Sequence, residues 1–183
     1  MPLNDNAVLT VGAGNYLTAP EGTAKPVDLT EPADPWETVG HTSIEDIFGL
    51  SSEGGEATVL ATLQNANLRT RYSARSETMT FTVMQWDAPN LKLYYGANAV
   101  ELPDGSLGVP DNPRPTIAAF LAIFIDGDNY FAFYAPKAEI YRADDLAIAD
   151  TESLAGLPLG VKPVKLPGNS WTYSVTPLGD IVP

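Results

Sequence analysis

The hydrophobic and polar positions of the chain alternate in short runs broken by glycine and proline. "AVLTVGAGNYLTAP" (Ala7–Pro20) reads as a strand, with a break or bend where Gly12 and Gly14 fall. "EGTAKPVDLTEPADP" (Glu21–Pro35) carries three prolines and no apolar period, so it predicts an extended loop lying over a surface, its own or a neighbour's. Trp36–Ser43 predicts a short strand ending near Gly40, Ile44–Gly55 a loop with one helical turn, and Glu56–Gln64 a further strand. "LRTRYSARSETMTFTVMQW" (Leu68–Trp86) is far longer than the usual strand of about five or six residues. Arg69, Arg71, Arg75, Met79, Phe81 and Val83 share odd parity there, which on a continuous strand gives one face, basic at one end and apolar at the other. The basic end is therefore expected to project past the core as a loop or ribbon.

Alternation slips at Met84–Trp86, and helix signals follow. Asp87 is a suitable N-cap, Pro89 suits the first turn, and Gly96 suits the position after the last turn. Ala88, Leu91, Tyr94 and Tyr95 fall at helical spacing, predicting one short helix packed on a sheet. Ala99–Pro115 is turn-rich, with a tight reversal at its "PDG". Next comes "TIAAFLAIFI", "DGDN", "YFAFYAPKAEIYRA", which predicts a hairpin turning at Asp126–Gly127 or Gly127–Asp128. Its first arm is apolar on both faces, so it should be central and covered. Two or three late strands follow, and "LGDIVP" closes the chain as a tail. The fold class predicted is mainly β, in one domain over residues 1–183, with one short helix packed on a sheet.

Charge changes this picture. The formal net charge is −13, which argues against gripping nucleic acid through its phosphates. It is also segregated: residues 1–60 hold ten acids and one base, Lys25, while Arg69, Arg71 and Arg75 are three of only five arginines. Such a cluster repels itself unless solvated or paired. The acidic region can pair with it inside one molecule or between copies, and a contact between copies would set register and orientation. Without cysteine there is no disulfide, thiolate metal site or cysteine nucleophile. No signal peptide is expected, and the most apolar run, Ile117–Ile125, is too short to span a bilayer as a helix.

Chemistry-bearing motifs are few. His41 is the sole histidine and reads as a turn residue. "DGDN" lacks the further ligands of a calcium loop. The pairs Glu45–Asp46 and Asp144–Asp145 read as solvated turns, although a carboxylate pair facing across a cleft would suit a hydrolase. Trp36, Trp86 and Trp171 are the only basis for a carbohydrate-binding or adhesion module, the alternative function; the plainer reading seats them half-buried at strand ends. No catalytic residue, cofactor or metal is expected.

The order "WETVGHTSIEDI", "LRTRYSARSETMTFTVMQWDAPNLKLYYG", the apolar hairpin and "SWTYSVTP" resembles the major tail (tail tube) proteins of long-tailed, non-contractile bacteriophages, particularly of phages infecting actinobacteria. The resemblance covers most of the chain. It implies a tail-tube fold, a β-sandwich or partial barrel of antiparallel strands with one short flanking α-helix, a long inter-subunit loop and extended arms, whose copies form stacked hexameric rings, with inner sheets joined into a barrel around a channel. Implied partners are further copies of the chain, a tape-measure protein in the lumen, and tail terminator and tail-tip proteins. DNA would pass without specific binding, and no membrane is involved. The implied location is the virion, after synthesis in the host cytoplasm. By the same resemblance the helix covers the outer side of the sheet, and the region Ile47–Arg75 is the inter-ring loop, with Arg69, Arg71 and Arg75 as contacts. Residues 1–6, 20–35 and 176–183 are the expected arms, loop and tail.

Overall fold

The computed structural model describes residues 3–4, 7–148 and 151–180. Its elements, in chain order, are β1 (Ala13–Ala19), β2 (Glu37–Thr38), β3 (Gly49–Gly54), β4 (Ala57–Thr62), β5 (Asn65–Tyr72), β6 (Arg75–Val83), α1 (Ala88–Tyr95), β7 (Val100–Glu101), β8 (Leu107–Gly108), β9 (Thr116–Asp126), β10 (Asn129–Arg142), β11 (Leu157–Pro163) and β12 (Ser174–Asp180). An antiparallel sheet runs β2-β1-β9-β10-β11-β6-β3, with β12 paired to β10. The fold is mainly β, as the alternation predicts.

The doubly apolar arm is central. On β9, Ala118, Phe120, Ala122 and Phe124 enter one cluster with Tyr16, Met79, Phe81, Val83, Leu159 and Ile140. The intervening Ala119, Leu121 and Ile123 enter a second, with Leu17, Leu29, Trp36 and Tyr134. A strand buried on both faces needs this continuous apolar run, because successive side chains point to opposite sides. The hairpin turns through Gly127 and Asp128, since Asp126 and Asn129 are cross-strand partners.

β10 is long because it serves two partners in succession. Asn129–Tyr134 pairs with β12, and Ala138–Arg142 pairs with β11. Its register against β9 shifts between Ala135 and Ala138, around Pro136, which has no N–H to give a ladder.

The sheet curls into a partial barrel. Tyr16 on β1 and Phe81 on β6 are separated by three strands in sheet order, yet their rings stack with centroids 4.4 Å apart and planes 3° from parallel. The Tyr16 hydroxyl donates to the carbonyl of Ile47, part of the segment leading into β3. After β2 the chain returns to β6: Met84 N donates to His41 O at 2.7 Å and Ser43 N to Thr82 O at 2.9 Å. This first cluster is thus the barrel interior.

Asp87 caps α1, its side chain accepting from Asn90 N, and Gly96 N donates to Lys92 O. One expectation for the helix fails. Ala88 is exposed, and the buried residues are Asn90 and Tyr94. Tyr94 enters the interior cluster, with Leu91 and Tyr95 packed against it, so the helix covers that core. Asn90 Nδ2 donates to Val39 O at 2.9 Å, a polar anchor that a purely apolar pattern passes over.

Other differences are local. Ile44–Gly55, read as a loop, contains β3, which pairs with β6 from Gly49↔Thr80 to Gly54↔Arg75. Its serines and glutamate gave no apolar alternation because β3 lies mostly exposed at the sheet edge. β1 starts only at Ala13, and its register against β9 runs unbroken through Gly14. Leu68–Trp86 divides at Ser73–Ala74, and its basic end projects as expected, in a ribbon of β4 and β5 apart from the main sheet. Thr176–Asp180 belongs to β12 and is no free tail, while 181–183 lie outside the described residues. Of the expected N-terminal arm, 1–2 and 5–6 also lie outside them.

The proline-rich segment Pro20–Pro35 is seated on its own sheet. Leu29 and Trp36 are buried in the second cluster, Trp36 Nε1 donates to Ala24 O at 3.1 Å, and Tyr134 Oη donates to Thr23 O at 2.7 Å. Contact with a neighbour is left to its exposed outer side.

Candidate assembly surface

β4 and β5 form a two-stranded ribbon separate from the main sheet, and every residue in it is exposed. Its base is pinned where the chain leaves β3. Gly54 and Gly55 have φ of 81° and 75°, and a Cβ on Gly54 would lie 2.2 Å from Ala74 O. Only glycine takes both the conformation and the close approach without strain. Ser73 N donates to Glu56 O, and Glu56 N to Ser73 Oγ, each at 3.0 Å. At the far end Asn65 N donates to Thr62 Oγ1 at 3.1 Å, and Leu63 is fully exposed.

Cross-strand register gives the ribbon two unlike faces. Ala57↔Tyr72 and Val59↔Thr70 place these residues, together with Leu68, on one mainly apolar face. Thr58↔Arg71 and Leu60↔Arg69 make the opposite face basic. A two-stranded hairpin alone in water is marginal at best. Tyr72 at 69% and Leu68 at 57% exposure are apolar surface held out from the core, the mark of an interaction site.

The arginine cluster is divided. Arg69 and Arg71 sit on β5, whereas Arg75 sits beyond the break, on β6, opposite Gly54. Among the described residues the ion pairs are Lys137–Glu21 at 2.8 Å, Lys92–Glu101 at 4.0 Å and Arg142–Asp145. None of Arg69, Arg71 and Arg75 takes part in them. The apolar ribbon face went unread in the sequence, though Leu68, Thr70 and Tyr72 alternate with the arginines and carry its signal.

The remaining candidates have structural surroundings. Trp36 is buried against Tyr134 at 6.1 Å, Trp171 packs on the same Tyr134 ring at 6.2 Å, and Trp86 stands apart, its Nε1 donating to Ala155 O at 2.9 Å. His41 serves through its backbone, and Asp126 accepts from Thr10 N at 2.8 Å. Glu45, Asp46 and Asp144 line one cleft, where Ser43 Oγ accepts from Glu45 N at 3.1 Å and Asp144 Oδ1 from Asp145 N at 2.8 Å. These bonds hold the loops. Among the described residues no group of three His, Cys, Asp or Glu side chains is placed to hold a metal ion.

Beside Arg75, the Tyr173 hydroxyl donates to Glu77. That bond, with burial second, pushes the Tyr173 pKa up to about 12. The folded-state value lies above the ordinary one near 10. The stabilisation is therefore complete below pH 10 and is lost as pH rises towards 12, because the unfolded chain ionises first. Tyr173→Phe removes this part of the alkaline loss. Melting temperatures measured from pH 8 to 12 should fall less steeply in the variant than in the parent; equal slopes would contradict the Tyr173–Glu77 contribution.

Three comparisons bear on what such a chain is. The phage tail tube protein family matches it over residues 1–170. "Major tail protein Gp23" of Mycobacterium phage L5 is 35% identical over 172 residues, covering 87% of this chain and 85% of that protein. "Major tail protein Gp23" of Mycobacterium phage D29 is 34% identical over 174 residues, with the same coverage. A partial β-barrel with a projecting ribbon, matched over nearly its whole length by that family, belongs to the phage tail tube proteins.

Proposed function

We propose that this chain is the repeating wall subunit of a siphophage tail tube, assembling into hexameric rings stacked around a channel. The observation that carries the reading is the β4–β5 ribbon, fully exposed, apolar on one face and basic on the other, with its arginines in no ion pair among the described residues. The region 47–75 is the inter-ring element, and Arg69, Arg71 and Arg75 meet acidic groups of a neighbouring copy. β3 and β12 are edge strands among the described residues. Pairing or covering by neighbours removes the hazard of open edges.

The wall has no catalytic task. Its partners are other copies, a tape-measure protein in the channel, and the terminator and tip proteins at the two ends. With a net charge of −13, a channel of such subunits repels DNA phosphates and lets the genome slide through. Synthesis takes place in the host cytoplasm and the final location is the virion tail. Sedimentation velocity over a rising concentration series tests self-assembly: large species should grow at the expense of a slow boundary, and a single slow boundary at every concentration would contradict the reading.

A further inference from the structure

The ten Lys and Arg side chains are not spread evenly outside the ribbon. Lys162 on β11 lines two neighbouring cavities. One, between the end of α1 and β10, also has Arg114 and Arg142 with Tyr95 and Tyr141. The other, at the base of β6, also has Arg75 and Lys165 with Tyr173. Around the pair lie five cations and two carboxylates, Glu77 and Glu139. Glu77 accepts from the Tyr173 hydroxyl, and Arg142 pairs with Asp145. Arg75, Arg114, Lys162 and Lys165 form no ion pair among the described residues. The band thus carries net positive charge on a strongly acidic molecule. Gly160 lets the Tyr141 ring lie across β11, where an added Cβ would meet that ring at 2.9 Å. The floor between the cations is therefore flat and aromatic.

The same chain carries the complement. Residues 28–46 contain Asp28, Glu31, Asp34, Glu37, Glu45 and Asp46 and no Lys or Arg. All six are exposed, and none forms an ion pair among the described residues. Asp28 is engaged with Thr30, so the freest carboxylates there are those further along.

We propose that the cationic band around Lys162 docks the acidic 28–46 segment of a second copy, a contact separate from the ribbon. The two patches differ, so the contact is head-to-tail, the type that closes rings or extends filaments. Complementary potentials of this kind govern encounter and register. The inference rests on the self-assembly reading and adds a lateral surface to it. A nucleic acid backbone is the rival ligand for such a band, but the whole-molecule charge opposes its approach, and a copy of this chain brings its own carboxylates.

The test is a charge swap. Lys162→Glu with Lys165→Glu should raise the concentration needed for half-assembly by about tenfold or more, the size of a change of 1.4 kcal/mol. Adding Glu31→Lys and Asp34→Lys to that chain should restore assembly. All four side chains are exposed, so the melting temperature should change little beyond the cost of a second carboxylate opposite Glu139 on the β10–β11 ladder; if charge reversal prevents folding, Lys162→Gln with Lys165→Gln should still weaken assembly. A parent that assembles while the reversed variant assembles equally well overturns this contact and leaves the tube reading standing. A parent that never assembles overturns the tube reading itself. Duplex DNA bound by the parent at physiological salt and released by the double reversal would assign the band to nucleic acid and overturn the proposal.

Discussion

Reversing the charge of Arg69 and Arg71 together is expected to abolish assembly while the subunit stays folded. Both residues lie on the exposed basic face of the ribbon, far from either core cluster. Surface substitutions of this type usually alter stability by no more than about 0.5 kcal/mol, so the melting temperature should scarcely move. At a contact between copies the effect is large: breaking a desolvated charge pair costs about 2–5 kcal/mol. Two reversals in every subunit then shift assembly by several powers of ten in concentration, at roughly 1.4 kcal/mol for each. Sedimentation at a concentration where the parent is mostly polymer reads this directly. A double variant that polymerises as the parent does would remove the arginines from the inter-copy contact.

Phe81→Ala is expected to give the largest loss of fold stability. The Phe81 ring packs against those of Tyr16 at 4.4 Å and Phe120 at 5.6 Å, which also meet each other at 6.4 Å, and is 3% exposed. It joins β6 to β1 across the barrel interior. Truncating such a ring costs about 3–5 kcal/mol in lost transfer energy and cavity. For a chain of this size each kcal/mol lowers the melting temperature by about 2–4 °C, so the drop should be roughly 6–20 °C. Thermal unfolding followed by circular dichroism measures it. A change below about 2 °C would mean that β1 and β6 do not face each other across the core.

The hairpin β9–β10, the Asp87–Gly96 boundaries of the helix and the odd-parity trio Met79, Phe81 and Val83 were legible in the sequence. Each has a one-dimensional signal: apolar runs, cap chemistry or alternation. β3 was not, because an exposed edge strand built of Ser, Glu and Gly needs no alternation. Asn90 was not, because its burial depends on the carbonyl of Val39, which is distant in sequence. The seating of Trp36 and Leu29 depended likewise on where the proline-rich segment turns back.

For the candidate surface, the arginines were legible as a charge cluster and the projection as excess strand length. The break at Ser73–Ala74, which separates Arg75 from the other two, was not. Nor was the band around Lys162, whose members come from β6, β10, β11 and the loops before β9 and after β11 and meet only in the fold.

At the centre stands the claim that identical copies complete this molecule around a hollow axis, and electron microscopy of the concentrated purified protein in negative stain addresses it most directly. Long particles of uniform width with a stain-filled central line, and annular end views, are the predicted result. A field of separate small particles, or of solid aggregates without a lumen, at every concentration would contradict it.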